Sequence, residues 1–600
     1  MTRKSVPGVL LAYLVLSFPL STTADEPSAG LAVRNGWYVH NDQVVWGLAQ
    51  HNGWWRAGQR PNLARNASGQ VGPNRTEDLG KLTTAMLRFG YPGFEHNFGL
   101  WYDRRRDAHD QERRNDDKVV GPFLEQPWAR SGRGVAWDGL SKYDLTQYND
   151  WYFRRLKQFA DLCDQKGTIL FHNHYMQHAL FETNAHYVDF PWRPPNCLQN
   201  TELPDRNPAA QAFYDVSHPL RCKLHRAYIR KCLDVLGTNT NVIFLCSEEY
   251  TGPGEFMQFW LDTIFQWERE TGRDVHVGLS ATKDVMDAIL LDSERAKKIS
   301  TIDLRYWWYK PDGSLRAPTG GRQVAGRYTY EIRHTTSTQI HRQVNECRAR
   351  YPGKAIIHGN PGTRQHAWAA LTGGASLLVG QLPYPDKQDP SEYISPEGCR
   401  GIQPTYDFIR EHIATTLSRM SPHDELIKSD KPVWCLAEPK GDYLVYALEG
   451  GLFEINLSAT RGAFTAKWFD PRTGKLSGAN DGLVLGGRAV RFTAPNQQDW
   501  GLWLSKTRGT GHSTQRASVV RVAIDRDWVE IDARLPRHGH AELIELHPHE
   551  EQSLRRPHDV DWCRTGDITQ TPDRYGCHER KFINRSPIVK ADDASQENTP

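Results

Sequence analysis

The segment Asn241-Val-Ile-Phe-Leu-Cys-Ser-Glu-Glu-Tyr250 opens as an unbroken apolar run and ends in two adjacent carboxylates. Ahead of it, the span 220–236 places Leu220, Leu224, Ala227, Ile229 and Leu233 near one helical stripe, and the span 256–270 behind it is another amphipathic helix. A continuously apolar strand between amphipathic helices is the pattern of a parallel strand covered on both faces. The pattern recurs. Strand-like runs occur at Gln43 to Ala49, Thr84 to Phe89, Gly167 to Phe171, Val275 to Leu279, Ile299 to Leu304, Lys354 to Ile357 and Ala375 to Val379, with Trp151 to Gln165 a further clear helix. Eight such units predict an α/β architecture, a (β/α)8 TIM barrel over residues 30–430 with large insertions. An open doubly wound sheet is the competitor, but no glycine-rich phosphate fingerprint follows the first strand.

After Asp430 the period changes. Short alternating runs at 432–436, 443–447, 452–455, 464–469 and 489–492, separated by turns such as Asp470-Pro-Arg-Thr-Gly474, predict a C-terminal antiparallel β-sandwich at 431–505. A Gly/Ser/Thr linker precedes a β-rich extension at 516–585, and 586–600 reads as a frayed, disordered tail.

Lys+Arg 74 against Asp+Glu 71 leaves a formal charge of +3, which argues against a nucleic-acid partner. Aromatic residues make up 11%, which excludes a disordered chain and suits a site that stacks sugar faces. Arg3 and Lys4, the apolar run Val9 to Leu20 and Ser21-Thr-Thr-Ala24 have the layout of a signal peptide at 1–24. That run is too short for a comfortable membrane crossing, so the mature chain is expected to be secreted or periplasmic, with no membrane span after cleavage. Export would permit disulfides among the ten cysteines. Cys563 and Cys577 are the expected pair, whereas Cys163, Cys232 and Cys246 read as buried small residues.

A barrel carries its reactive groups at the C-terminal ends of its strands. Those ends supply His51, Trp54 and Trp55 after the first strand, and Glu95, His96, Asn97, Trp101 and Asp103 after the second. They supply His172 and His174 after the third, Glu248 and Glu249 after the fourth, Arg305, Tyr306 and Trp307 after the sixth, and His358 and Asn360 after the seventh. Hydroxyl-binding groups interleaved with rings point to a carbohydrate site. Of Glu248 and Glu249, only one can face the mouth in regular strand geometry. Asp303, inside strand six, reads as structural. Arg104-Arg-Arg106 could grip an acidic glycan, but its mixed-charge surroundings read as a solvated loop.

The run 241–250 resembles the fourth strand of clan A glycoside hydrolases, and most of all the apiosidase-like barrels, whose pattern there is Asn-Glu-Tyr. Trp46-Gly47 to Trp54-Trp55 and Ala367 to Ala375 are similar to the same group. The sandwich resembles the small domain, labelled collagen-binding, that follows those barrels, and Gly90 to Arg106 with Phe171 to His178 looks like an uncharacterised bacterial branch of them. The resemblance implies that Glu249 is the general acid/base, with Glu248 in place of the asparagine. It also implies a nucleophilic Glu at the end of strand seven, where Lys354-Ala-Ile-Ile-His-Gly-Asn-Pro361 offers no carboxylate. Glu95, Asp103 and Glu248 are the candidate partners; a spacing of about 5 Å would give retention and about 6.5–9.5 Å inversion.

The expected function is cleavage of glycosidic bonds in a polysaccharide or oligosaccharide substrate by carboxylate acid/base catalysis, without a cofactor or metal. A non-catalytic glycan-binding or matrix-adhesion protein is the alternative. A metal-dependent hydrolase is a third reading, built on His172 and His174 sharing a strand face, with His51, His96 and His358 approaching in the barrel mouth.

Overall fold

The computed structural model describes residues 30–51, 79–98, 126–181, 187–188, 190–247, 249–321, 335–359, 363–380 and 402–507, with the strands 518–524, 527–533, 542–546 and 562–567 beyond. The signal segment, the frayed tail and Cys577 lie outside the described residues.

Eight parallel strands close into a barrel: β1 (Leu48–His51), β2 (Gly93–His96), β3 (Ile169–Tyr175), β4 (Val242–Ser247), β5 (His276–Ser280), β6 (Ile299–Asp303), β7 (Ala355–Gly359) and β8 (Leu377–Gly380). The second strand is not where the sequence placed it. Thr84 to Arg88 belongs to helix α1 (Leu79–Arg88), Phe89 lies in the turn that follows, and β2 begins after Gly90 turns the chain at φ +81. A short apolar run does not distinguish a buried helix from a strand. Glu95 and His96 therefore lie within the barrel wall and not in a loop above it. The first run is likewise split, because Gly47 at φ +149 separates Gln43–Val44, part of a small antiparallel sheet, from β1.

Three helices cover the third and fourth strands. Helix α2 (Asp150–Lys166) starts on Asn149, whose side chain accepts from the Trp151 and Tyr152 amides, and stops at Gly167 in a left-handed conformation at φ 70. It buries Tyr152, Phe153, Leu156, Phe159, Ala160 and Cys163. Helix α3 (Pro219–Leu236) is capped by His218 with Pro219 at its first position. Its buried face carries His225, Tyr228 and Cys232 beside Leu224, Ile229 and Leu233, while Ala227 is exposed. Helix α4 (Gly254–Thr271) buries Trp260, Leu261, Ile264 and Trp267. The β3–β4 wall thus meets aromatic and polar groups as well as the aliphatic residues of the α3 stripe.

A six-stranded and a three-stranded antiparallel sheet follow within residues 421–506, forming the sandwich. One face of the larger sheet builds the sandwich core with Phe453, Ile455, Phe464 and Phe492. Its other face packs on the barrel. Trp368, fully buried on the helix Arg364–Thr372, stacks on Tyr446 at 5.0 Å, and His341 stacks on Trp434 at 4.5 Å. Asp499 at the seam accepts from Arg364 (3.0 and 2.8 Å) and from the Tyr446 hydroxyl (3.0 Å). Each such ring buries a large apolar area, so this junction is comparable to a domain core and not to a flexible linker.

Residues 508–600 form a separate unit in which two antiparallel hairpins are described, Ser518–Ile524 with Asp527–Ala533 and Glu542–Leu546 with Trp562–Asp567. The seven cysteines from Cys163 to Cys347 and Cys435 carry free thiols, with Cys163, Cys232 and Cys246 buried.

Candidate active site

In a strand, neighbouring residues point to opposite faces, so the phase of each barrel strand decides which group reaches the mouth. On β2 the inward residues are Gly93 and Glu95, and on β3 they are Ile169, Phe171 and Asn173. On β6 Thr301 and Asp303 face inward, and Arg305 follows on the same side.

These phases assemble a buried charge cluster across the barrel. Arg305 donates from Nη1 to Glu95 Oε2 at 2.9 Å and from Nη2 to Glu95 Oε1 at 2.6 Å, while its Nε donates to Asp303 Oδ2 at 2.7 Å. The three side chains are 2%, 1% and 0% exposed. Asn173 reaches Glu95 Oε1 at 3.5 Å. Burial pushes the Asp303 carboxyl above the ordinary range, and the guanidinium offsets this only in part. Burial opposes the charge on Arg305 too, but the two carboxylates outweigh it and hold its pKa well above the usual value. Gly359 at the end of β7 makes room for this arginine: a Cβ there would lie 2.0 Å from Arg305 Cγ. Strand seven contributes space here, where the resemblance had implied a carboxylate.

Glu249 stands two residues beyond β4. It is 3% exposed, and its φ of 51 puts a non-glycine residue in the left-handed region, at a cost of roughly 1–3 kcal/mol. Neighbours over-determine this conformation. The Glu249 amide donates to Ser280 Oγ at 3.0 Å, and its carbonyl accepts from Gln177 Nε2. Gln177 Oε1 in turn accepts from the Thr251 amide at 2.9 Å, so one buried side-chain amide clamps both sides of the turn. Gln177 and Ser280 escaped the sequence reading because nothing in their local pattern marks them. Asp303, read as structural, is a buried partner of Arg305.

The histidines require correction. His96, His172, His174 and His358 do not face the mouth. His96 Nε2 meets the Tyr152 hydroxyl of α2 at 2.8 Å, and His174 lies against Tyr228 and Trp260 of α3 and α4. His172 sits beside Phe244 and stacks on His96 at 5.8 Å. His358 shares the outward side of Ile356 on β7, near His366. Their ends of strand were read correctly, but their phase was not. Burial lowers His96 and His358 to about 3 and His174 to about 4, the last eased by the Leu245 and Ile229 carbonyls. Burial, with His174 and His96 adding, puts His172 well below the ordinary value. All four are neutral imidazoles, shielded from any substrate in the mouth, so the metal centre pictured there does not form from His172 and His174.

Arg305 is committed to Glu95 and Asp303 and is not an open substrate ligand. Tyr306 and Trp307 are 4% and 6% exposed, with Trp307 inside the apolar core, its ring under Lys283 Nζ at 5.1 Å. Asn97 is fully buried directly after β2. His51 contributes its backbone to β1, paired with Glu95 of β2. Trp54, Trp55, Trp101, Asp103, Glu248 and Asn360 lie outside the described residues.

The chain is similar to several solved proteins at low identity. These include a glycoside hydrolase (12% identity, 80% of this chain and 97% of that chain covered, TM-score 0.45) and a glycoside hydrolase family 5 protein from Bacteroides vulgatus (12%, 80% and 94%, TM-score 0.48). An α-galactosidase from Saccharomyces cerevisiae follows (10%, 77% and 97%, TM-score 0.37). No curated protein matches the chain. Residues 425–505 match the family described as "Putative collagen-binding domain of a collagenase". Residues 18–391, more than half of the chain and nearly all of the barrel, match the family described as "Domain of unknown function (DUF6298)", and the chain belongs to that family.

Proposed function

We propose that this protein is an exported glycoside hydrolase of the clan A, apiosidase-like kind, cleaving glycosidic bonds in a complex polysaccharide. Glu249 protonates the leaving oxygen, and Glu95 is the anionic partner. The observation that carries this reading is the presence of two buried carboxylates in unlike surroundings, Glu249 two residues beyond β4 and Glu95 near the C-terminal end of β2. Glu249 is buried in a strained turn clamped by Ser280 and Gln177, while Glu95 is gripped bidentately by Arg305. Glycoside hydrolysis needs one carboxyl as acid and a second as base or nucleophile, and environments that differ in this way separate the two roles. Strain held at a strand end is characteristic of functional positions. The sandwich serves as a packed support for the barrel, through Trp368 and Tyr446, and not as a free collagen-binding module.

A second reading, non-catalytic glycan binding, is favoured by the missing carboxylate at the end of β7, where His358 and Gly359 stand. A screen of plant and algal polysaccharides for released reducing ends separates the two. Activity that Glu249→Gln abolishes, with glycan binding largely kept, supports hydrolysis by Glu249. Unimpaired turnover by Glu249→Gln refutes its assignment, and saturable binding with no released ends replaces hydrolysis by the second reading.

A further inference from the structure

In the layer between the barrel wall and its outer helices, away from the mouth, β3 and α3 bring three ligand-type side chains together. His172 and His174 leave β3 on one face, as residues i and i+2 of a strand must, and Cys232 occupies the inner face of α3. One ligand atom from each lies within 4.8 Å of the other two, and all three residues are fully buried.

His172 is the anomaly. Neither of its ring nitrogens has a hydrogen-bond partner, although the side chain is 0% exposed. A neutral imidazole carries one donor and one acceptor, and each left unmade in the interior costs about 1–3 kcal/mol. Other histidines in this layer are not treated so. His225 accepts from the Tyr175 hydroxyl on Nδ1 and donates from Nε2 to the Phe213 carbonyl, both at 2.8 Å. His96 is bonded to Tyr152.

His174 adds an independent feature. Its Nδ1 lies 3.3 Å from the Leu245 carbonyl, while its Nε2 makes no hydrogen bond. With the proton on Nδ1 donated to that carbonyl, Nε2 is left with its lone pair unused. Metal-bound histidines are oriented in this manner, by a backbone carbonyl on the far nitrogen. The Trp260 indole N–H, also 3.3 Å from Nδ1, competes for the opposite tautomer; an ion on Nε2 would select the first.

We propose that His172, His174 and Cys232 hold one transition-metal ion in a buried three-ligand site. Two imidazoles and a thiolate select a borderline-to-soft ion of the zinc or copper(I) class over magnesium or calcium, which require oxygen ligands. Bonds of about 2.0–2.3 Å draw the three atoms slightly closer than they stand. The metal replaces the Cys232 thiol proton, which is released to solvent, and the imidazoles bind as neutral ligands. The ion staples β3 to α3 and is independent of the hydrolytic reading, since none of its ligands faces the mouth.

The test uses full-length protein produced in zinc-supplemented medium and passed over a chelating resin, with elemental analysis. A parallel sample, stripped of metal under denaturing conditions, is refolded with cobalt(II). The expected result is about one tightly held equivalent of metal, a higher melting temperature in the metal-bound form, and a cobalt–thiolate charge-transfer band. Cys232→Ser removes the band and most of the metal. Metal-free wild-type protein, a cobalt form without a thiolate band, or an unchanged metal content in Cys232→Ser each overturns the proposal. If the serine variant fails to fold, the wild-type cobalt spectrum decides.

Discussion

Replacing Arg305 with methionine tests whether the charge cluster in the barrel is as dry as its geometry indicates. The substitution keeps an unbranched apolar stem but removes four charge-assisted bonds, two to Glu95 and two to Asp303. Two carboxylates at 1% and 0% exposure then lose the guanidinium that holds them together. Breaking a buried pair in this way costs about 3–5 kcal/mol. A ceiling follows from proton uptake, because a stranded carboxylate can always neutralise itself. Near pH 7 that escape costs about 4 kcal/mol for each group, the distance from its unfolded pKa times about 1.4 kcal/mol per pH unit; near pH 5 it costs only about 1–1.5.

The sign is therefore defined. In Arg305→Met both folded pKa values rise above their unfolded values, the folded state binds more protons, and stability falls as pH rises from about 4 toward neutrality. Wild type shares this sign weakly through Asp303, which burial already raises. Urea denaturation followed by far-ultraviolet circular dichroism should show a loss of about 3–5 kcal/mol near pH 7 that shrinks by at least half near pH 5. The triple variant Glu95→Gln, Asp303→Asn, Arg305→Met should recover most of it. A loss under about 1 kcal/mol near pH 7, or an equal loss at both pH values, would refute the reasoning.

Gly359→Ala drives a methyl group to 2.0 Å from Arg305 Cγ, in a side chain pinned at its far end by two carboxylates. Its expected cost is roughly 1–3 kcal/mol, and the double variant with Arg305→Met should cost less than the sum of the two; strict additivity in a denaturation cycle would contradict this. At the barrel–sandwich seam, burial raises the Asp499 carboxyl, but hydrogen bonds from Arg364 and Tyr446 with the nearby guanidinium charges hold it below the ordinary range. Its stabilisation is therefore present above the unfolded pKa and lost as pH falls through the lower folded value. Asp499→Asn should cost roughly 1.5–3 kcal/mol near neutrality, with the gap to wild type closing only in acid below about pH 4; a gap that closes between about pH 5 and 7 would exclude Asp499 as its source.

The existence of eight strands was legible because parallel strands read as apolar runs between amphipathic helices, and seven of the eight runs lie on or overlap the strands they predicted. The second did not, since Thr84 to Phe89 is short enough to serve either as strand or as helix, and here its apolar residues bury one face of α1. The resulting shift matters chemically. With β2 at Gly93–His96, Glu95 and His96 become adjacent strand residues that must point to opposite sides. Placed in a loop, both had seemed available to the mouth.

What the sequence withheld was phase. In a half-exposed strand, polar residues mark the solvent face and set the register of every neighbour. A barrel strand offers no such marker, because both faces are buried: Ile169 and Phe171 line the interior while Leu170 packs outward, and Ile243 and Leu245 alternate with Val242 and Phe244 in the same way. Each strand end could therefore be read in two phases, and the His-Asn-His run 172–174 could deliver either two imidazoles or one amide to the mouth. The structure delivers the amide, and Asn173 meets Glu95. The imidazoles go to the helix layer, where Cys232, set among the sequence's inert buried cysteines, meets them. One phase choice thus relocates this histidine chemistry from the substrate side to the scaffold side, while among the described residues the barrel interior holds Glu95 and Asp303 with the guanidinium that pairs them. In the proposed reading the reaction is carried by Glu249 and Glu95, and their roles do not depend on imidazole protonation. Activity loss in His172→Ala or His174→Ala should accordingly follow loss of folded protein rather than a change in the pH profile of turnover.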